Sequence, residues 1–310
     1  MYTLLFPQLI TDRNVLRAAA REMIESSPLM HACAAGEFDA VHALLVGCWP
    51  FVAGFEKAID RQVLRMPVKR LVNRFGRQRV RAFLRGASAA VREMKEEEGS
   101  HAELWRQAAE QSGIVLNDSE PIDGVRRLLD SAWTEDPVQF FCWLAGTEYI
   151  AEELARFLCN SPRFVALFPK NRWLWGEAHL AEHDGPSHLE IDEDLARAYH
   201  SSTDEVAVAR DLSDAILSCQ KLFSAAGYDV FDSFMEPIIA SADLQLVTEP
   251  AWAPANIIVP HRSASGSIVM NDEEIDSPAM ALPPAAKIAP DLVTDRPWRF
   301  GPQHAQARWL

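Results

Sequence analysis

Apolar residues recur at helical spacing through most of the first 245 positions. After Asp12, the residues Val15, Leu16, Ala19 and Met23 fall on one face. This predicts a helix capped by Asp12, running to about Ser26 and broken by Ser27-Pro28. Phe38, Val41, Leu45, Trp49, Val52 and Phe55 form the inward face of a second region, which Pro50 should kink because proline cannot donate to the helical ladder. A third helix begins near Arg77 with Val80, Phe83, Leu84, Ala87 and Val91 inward. It reaches the acidic run Glu96-Glu97-Glu98 and continues through His101 and Trp105 to Gly113. Segments near 121–131 and 135–160 follow, then one over 171–199 interrupted at Gly185-Pro186, and a long helix from about Ser202 to Ala240. Strand alternation is weak, and neither a Gly-rich phosphate loop nor a fixed-period repeat is present. The expected class is all-α.

The pattern ends near Leu246. Nine of the 19 prolines fall between Pro250 and Pro302, and helical periodicity is lost there. The expectation is a helical domain over 1–245 and a Pro-rich, largely irregular C-terminal extension over 246–310. Ile257-Ile258-Val259 and Ser267-Ile268-Val269-Met270 are the candidates for a short hairpin within it. Trp298, Phe300 and Trp309 offer anchors to the core or to a second subunit, so a homodimer is among the expectations.

Composition adds limits. With 310 residues, 48% hydrophobic and 24% charged, the chain can bury a full core without metal or disulfide staples. A net charge of -14 argues against a nucleic-acid binder. Five cysteines, odd in number, widely spaced and without a CxxC pair, indicate buried thiols in a reducing compartment. The start MYTLLFPQLITDR has no basic n-region or cleavage site, and the apolar run Ala43 to Phe55 is short and carries Pro50. Together these predict a cytoplasmic protein with no membrane partner. Against the acidic background, Arg61, Arg65, Lys69, Arg70, Arg74, Arg77, Arg79, Arg81, Arg85 and Arg92 occur with no acidic residue among them. A solvated face balanced by acids elsewhere is the ordinary reading. The functional one is a dock over 61–92 for an anionic partner, such as an acidic carrier protein bearing a tethered substrate.

Three places concentrate metal-type ligands. Glu98 and His101 are three apart and share a helix face. Glu148 and Glu152 stack one turn apart just after the apolar Phe140–Gly146 stretch, where a carboxylate must be neutralised, paired or metal-bound, while Glu153 is expected to face solvent. His179, His183 and His188 fall within ten residues, and His188 shares a face with Asp192 four positions on. Carboxylates and imidazoles from separate bundle helices make up a di-iron carboxylate site, and this donor set suits iron or manganese rather than zinc.

Several of these motifs resemble the haem-oxygenase-like superfamily, which also holds thiaminase-II and pyrroloquinoline-quinone synthase. Ser27-Pro28-Leu29-Met30, Ala35-Gly36-Glu37-Phe38 and Trp49-Pro50-Phe51-Val52-Ala53-Gly54-Phe55 resemble its opening helices. Glu97-Glu98-Gly99-Ser100-His101-Ala102-Glu103-Leu104-Trp105 resembles its ligand-bearing third helix, and Thr147-Glu148-Tyr149-Ile150-Ala151-Glu152-Glu153-Leu154 the next carboxylate helix. His188-Leu189-Glu190-Ile191-Asp192 resembles the start of the HxxxDxxH motif of the di-iron oxidase branch. The resemblance covers about 10–245 and implies a haem-oxygenase-like helical bundle. It also implies two non-haem iron ions and an O2-dependent oxidoreductase acting on a small amine, amino-acid or carboxylate substrate, free or carrier-tethered, in a biosynthetic pathway.

By that resemblance the iron ligands would be Glu98, His101, Glu148 (with Glu152 its rival), His188 and Asp192. The family's last histidine falls at Leu195, which cannot bind iron, so His183 or His179 would have to fill that place. Two other readings stay open: a metal-free acid–base enzyme or cofactorless oxidase on the same fold, and a non-catalytic helical partner protein.

Overall fold

The computed structural model describes residues 2–62, 65–117, 119–181 and 185–236. The chain divides into two units, Met1–Ala251 and Trp252–Leu310, and only the first contains described residues. The expected tail over 246–310, its hairpin and aromatic anchors, and the helix end near Ala240 all lie outside them, as does His183.

Every element among the described residues is helical. Asp12 accepts from the backbone N–H groups of Asn14 and Val15 and starts α1 (Arg13–Glu25), as its sequence predicts. Leu16, Ala20 and Ile24 are its buried stripe. Ser27 caps α2 (Pro28–Ala34). The second predicted region is two helices, α3 (Phe38–Gly47) and α4 (Trp49–Arg61), which part at Cys48 just ahead of Pro50. Phe38 stands at the first turn of α3 and is 50% exposed, so it is not part of the inward face. By length and composition alone Phe38–Arg61 is apolar enough to cross a membrane. Its apolarity has a use within the fold, because Val41, Leu44, Leu45, Phe51 and Phe55 are core residues.

A short α5 (Val68–Phe75) leads into α6 (Arg77–Gln111), a single unbroken helix of 35 residues. Then come α7 (Asp123–Ala132), α8 (Pro137–Cys159), α9 (Pro162–Val165), a 3-10 turn at Pro169–Asn171, α10 (Leu174–Leu180), α11 (His188–Tyr199) and α12 (Glu205–Phe234). The predicted 171–199 segment is therefore α10 and α11, on either side of Gly185-Pro186.

α8 is the axis of the bundle. Apolar residues surround it on all sides, and 14 of its 23 residues are buried, against α1, α10, α11 and α12. Gly146 sets its distance from α12: a Cβ there would lie 2.8 Å from Cys219 Cβ and 3.2 Å from the Ile216 carbonyl oxygen. On one flank Arg17 and Arg21 of α1, with Arg156, converge on Glu153, which is only 2% exposed. The expectation that Glu153 faces solvent is thus corrected, because α1 lies over that face of α8.

The basic block is partly structural. Arg70 donates to the carbonyls of Ala198 and Tyr199 at the end of α11, Arg79 donates to the Leu5 carbonyl, Arg74 pairs with Glu205, and Arg61 lies over the Trp133 ring. Lys69, Arg77, Arg81 and Arg85 are exposed and make no ion pair among the described residues.

Gly146→Ala should lower stability by about 1–2 kcal/mol, the overpacking cost exceeding the gain in helix propensity. Chemical denaturation checks this; an unchanged or raised midpoint would contradict the close approach of α8 and α12.

Candidate functional site

The N-terminal segment fixes the helix that carries half of the site. Residues 2–11 run without helix across α11. Asp194 accepts from the backbone N–H of Leu5 (3.0 Å) and Phe6 (2.6 Å) and from the Tyr2 hydroxyl (2.7 Å). Its neighbour Glu193 accepts from the Ile10 N–H at 2.6 Å and from the Thr11 hydroxyl. Arg197 donates to the Gln8 carbonyl and lies 4.2 Å from the centre of the Phe6 ring. A capping box of Ser187 and Glu190 begins α11, so His188 and Asp192 stand on its first two turns.

Four helices bring carboxylates and imidazoles together: Glu97, Glu98 and His101 from α6, Glu148 from α8, His179 from α10, and His188 and Asp192 from α11. His101 Nδ1 lies 3.2 Å from Glu98 Oε2. His188 bridges two helices, with Nδ1 3.2 Å from Glu148 Oε1 and Nε2 2.8 Å from Glu97 Oε2. The rings of His101 and His179 face each other at 4.1 Å, and His179 lies against Trp175 at 3.9 Å. Among the described residues no three of these groups are already drawn around one common point. The donor atoms are held in carboxylate–imidazole pairs instead.

Electrostatics distinguishes the members. Burial opposes a charge on His188, but its hydrogen bonds to Glu148 and Glu97 outweigh this and push its pKa up to about 11. Burial alone would raise Glu148; the His188 hydrogen bond and the surrounding imidazoles draw it below the usual carboxylate range. Glu98 is raised by burial, against the opposing hydrogen bond from His101. Burial, with the His101 charge adding to it, pulls His179 down to about 4, so its ring is neutral. Its Nδ1 donates to the Trp175 carbonyl at 2.9 Å, which leaves the Nε2 lone pair available. A metal-binding histidine commonly has this arrangement, one nitrogen oriented by a carbonyl and the other left to the metal.

Asp192 is the outlier. It is fully buried, and neither of its oxygens has a hydrogen-bond partner. Burial, reinforced by the Glu148 charge, holds its pKa well above the ordinary value. The next two residues are also buried acids, but both are satisfied by the N-terminal segment. A buried carboxyl without partners costs several kcal/mol in apolar surroundings, so the fold does not account for Asp192. The charges of Glu148, His188 and Glu98 all act on it. This donor chemistry of orphaned carboxyl oxygens, further carboxylates and a neutral imidazole fits a divalent metal such as iron.

Beside the cluster is a cavity of about 110 Å³. Glu98, His101, Glu148 and His179 supply its carboxylates and imidazoles, and most of the remaining lining is apolar. Cys48 also lines it, which sequence reasoning missed as a site position; burial pushes its thiol up to about 12, so it is not a ready nucleophile.

Of the residues expected from the sequence, the structure brings Glu98, His101, Glu148, His188 and Asp192 together. It does not bring in Glu152, whose carboxylate is held at 2.6 Å by Arg17 of α1. His183 is outside the described residues. Leu195, at the place of the last motif histidine, is fully buried in the core. His179, the other imidazole offered for that place, does join the cluster, as does Glu97, which was not proposed as a ligand. Glu97 lies four residues before His101 and so shares its face as well as Glu98 does, and that spacing was the available signal.

No protein-family model and no curated protein matches the chain. A solved structure does: a TenA homolog from Pseudomonas syringae pv. tomato aligns with a TM-score of 0.53 over 71% of this chain and 92% of that one, at 11% sequence identity. The chain therefore shares the all-α fold of this TenA homolog.

Asp194→Asn should cost about 2–4 kcal/mol, since it turns acceptors of three hydrogen bonds into an amide that meets N–H donors. Asp192→Asn should change stability by less than about 1 kcal/mol, because no hydrogen bond is lost. Denaturation of the two variants side by side checks the contrast; equal losses would mean that Asp192 belongs to the structural framework.

Proposed function

We propose that this protein is a non-haem di-iron, O2-dependent oxidase or oxygenase of the haem-oxygenase-like group, acting on a small molecule. The observation that carries the reading is Asp192, a buried carboxyl with two partnerless oxygens amid carboxylates and imidazoles from four helices. The TenA-like fold supports an enzyme, and the donor set supports oxidation over hydrolysis.

Glu98, His101, Glu148, His179, His188 and Asp192 would hold the two ions, with His179 taking the part that Leu195 cannot. Bound there, ferrous iron supplies the binding and reduction of O2. The rest is done by the chain itself. The Trp175 carbonyl fixes the His179 ring, Glu97 holds the proton on His188 Nε2, and the apolar cavity orients the substrate and keeps water from it. The substrate is a small amine, amino acid or carboxylate, free or on an acidic carrier that docks at the exposed Arg77, Arg81 and Arg85.

The carboxylate–imidazole hydrogen bonds favour a second reading, a metal-free acid–base enzyme using the His188–Glu148 pair.

After anaerobic loading with ferrous iron and desalting, metal analysis should find about two ions per chain, as di-iron bundles hold. Asp192→Asn and His179→Ala should each lose most of that iron while remaining folded. Absence of retained iron, with activity that survives exhaustive chelation, would favour the acid–base reading.

A further inference from the structure

The cavity wall specifies what enters. Resting on the reading above of where the reaction occurs, we infer that the substrate has an apolar body, aliphatic or aromatic, with a single polar group at the end that meets the cluster. Phe51 is central to the cavity wall. It packs on Phe55 (5.5 Å between centroids) and edge-on against Phe223 of α12 (5.0 Å), and all three rings line the cavity. Leu44, Leu128 and Leu154 close the wall from α3, α7 and α8.

Among the described residues no lysine or arginine lines the cavity, and its carboxylates and imidazoles are those of the cluster. Ser27, Thr147 and Ser224 are its hydroxyls, and Thr147 already donates to the Trp143 carbonyl. A second charged group at the far end of the body, such as the ammonium of an ω-amino acid whose carboxylate meets the cluster, would lie against hydrocarbon without a counter-charge. A methylene chain or a ring would instead exchange water for the phenylalanine and leucine faces. A volume of about 110 Å³ suits a body of benzene size or somewhat smaller, since a 150 Å³ apolar cavity takes up benzene.

The test is direct binding to the full-length protein, followed by calorimetry and tryptophan fluorescence. The probes are straight-chain primary amines and monocarboxylates of rising length, a phenyl-substituted member of each series, and ω-amino acids of matching chain length. Affinity should tighten about fourfold per added methylene until the cavity is full, in whichever of the two series has the right end group. The amino acids should bind at least tenfold more weakly than their mono-functional counterparts. Phe51→Ala should move the best chain length upward, and Leu128→Phe should move it downward; opposite shifts cannot come from general loss of folding. Affinity independent of length, or amino acids binding as tightly, would overturn the inference. Iron content measured on the same samples reports separately on the metal reading. Length-dependent binding without retained iron would leave this inference standing and sink the di-iron proposal, whereas retained iron without length dependence would do the reverse.

Discussion

Three consecutive acids, Asp192, Glu193 and Asp194, are buried on α11, and the structure depends on how each is satisfied. Desolvating a carboxyl group is expensive, so burial in this number requires specific partners. Glu193 and Asp194 find theirs in the first eleven residues, whose backbone N–H groups have no helix of their own to serve. The exchange fixes both elements: the segment acquires a conformation, and α11 is held against α8 and α6. Asp192 has no such partner. The same anchoring that stabilises two acids thus also holds the third, which feels the charges of Glu148, His188 and Glu98.

That arrangement couples framework to site. α8 tolerates Glu148 in an otherwise apolar environment because His188 arrives from α11 to pair with it, and His188 is shared with Glu97 of α6. Remove the anchoring of α11 and these contacts lose their geometry together. Arg17 makes a comparable choice on the opposite flank. By engaging Glu152 it withdraws that carboxylate from the candidates, leaving Glu148 as the one α8 contributes. The apolar wall beside the cluster then sets a low-dielectric environment in which pairs of charges interact strongly and unpaired ones are disfavoured.

Local chemistry was the legible part. The Asp12 cap, the break at Ser27-Pro28, the division near Pro50 and the all-helical class each follow from a few neighbouring residues, and the structure has them. Helical spacing and motif order also pointed to the faces that carry Glu98, His101, Glu148 and His188, which the structure holds in carboxylate–imidazole pairs. What the sequence hid was which element covers which face. Phe38 reads as core by periodicity yet is half exposed at a helix start, and Glu153 reads as solvated until α1 is laid across it. The distinction between Asp192 and its two neighbours is also invisible in the letters, because it depends on partners about 185 residues away in the chain. His179 was visible as part of a histidine group, but its neutral state depends on burial and on the Trp175 carbonyl.

The central claim is that Asp192 is kept without a protein partner so that its oxygens can bind a cation. Anomalous diffraction at the iron edge, from crystals soaked anaerobically in ferrous salt, tests it most directly. The account predicts anomalous peaks bounded by Asp192, Glu148 and His179. Peaks confined to surface carboxylates, with Asp192 still uncontacted at full soaking, would contradict it.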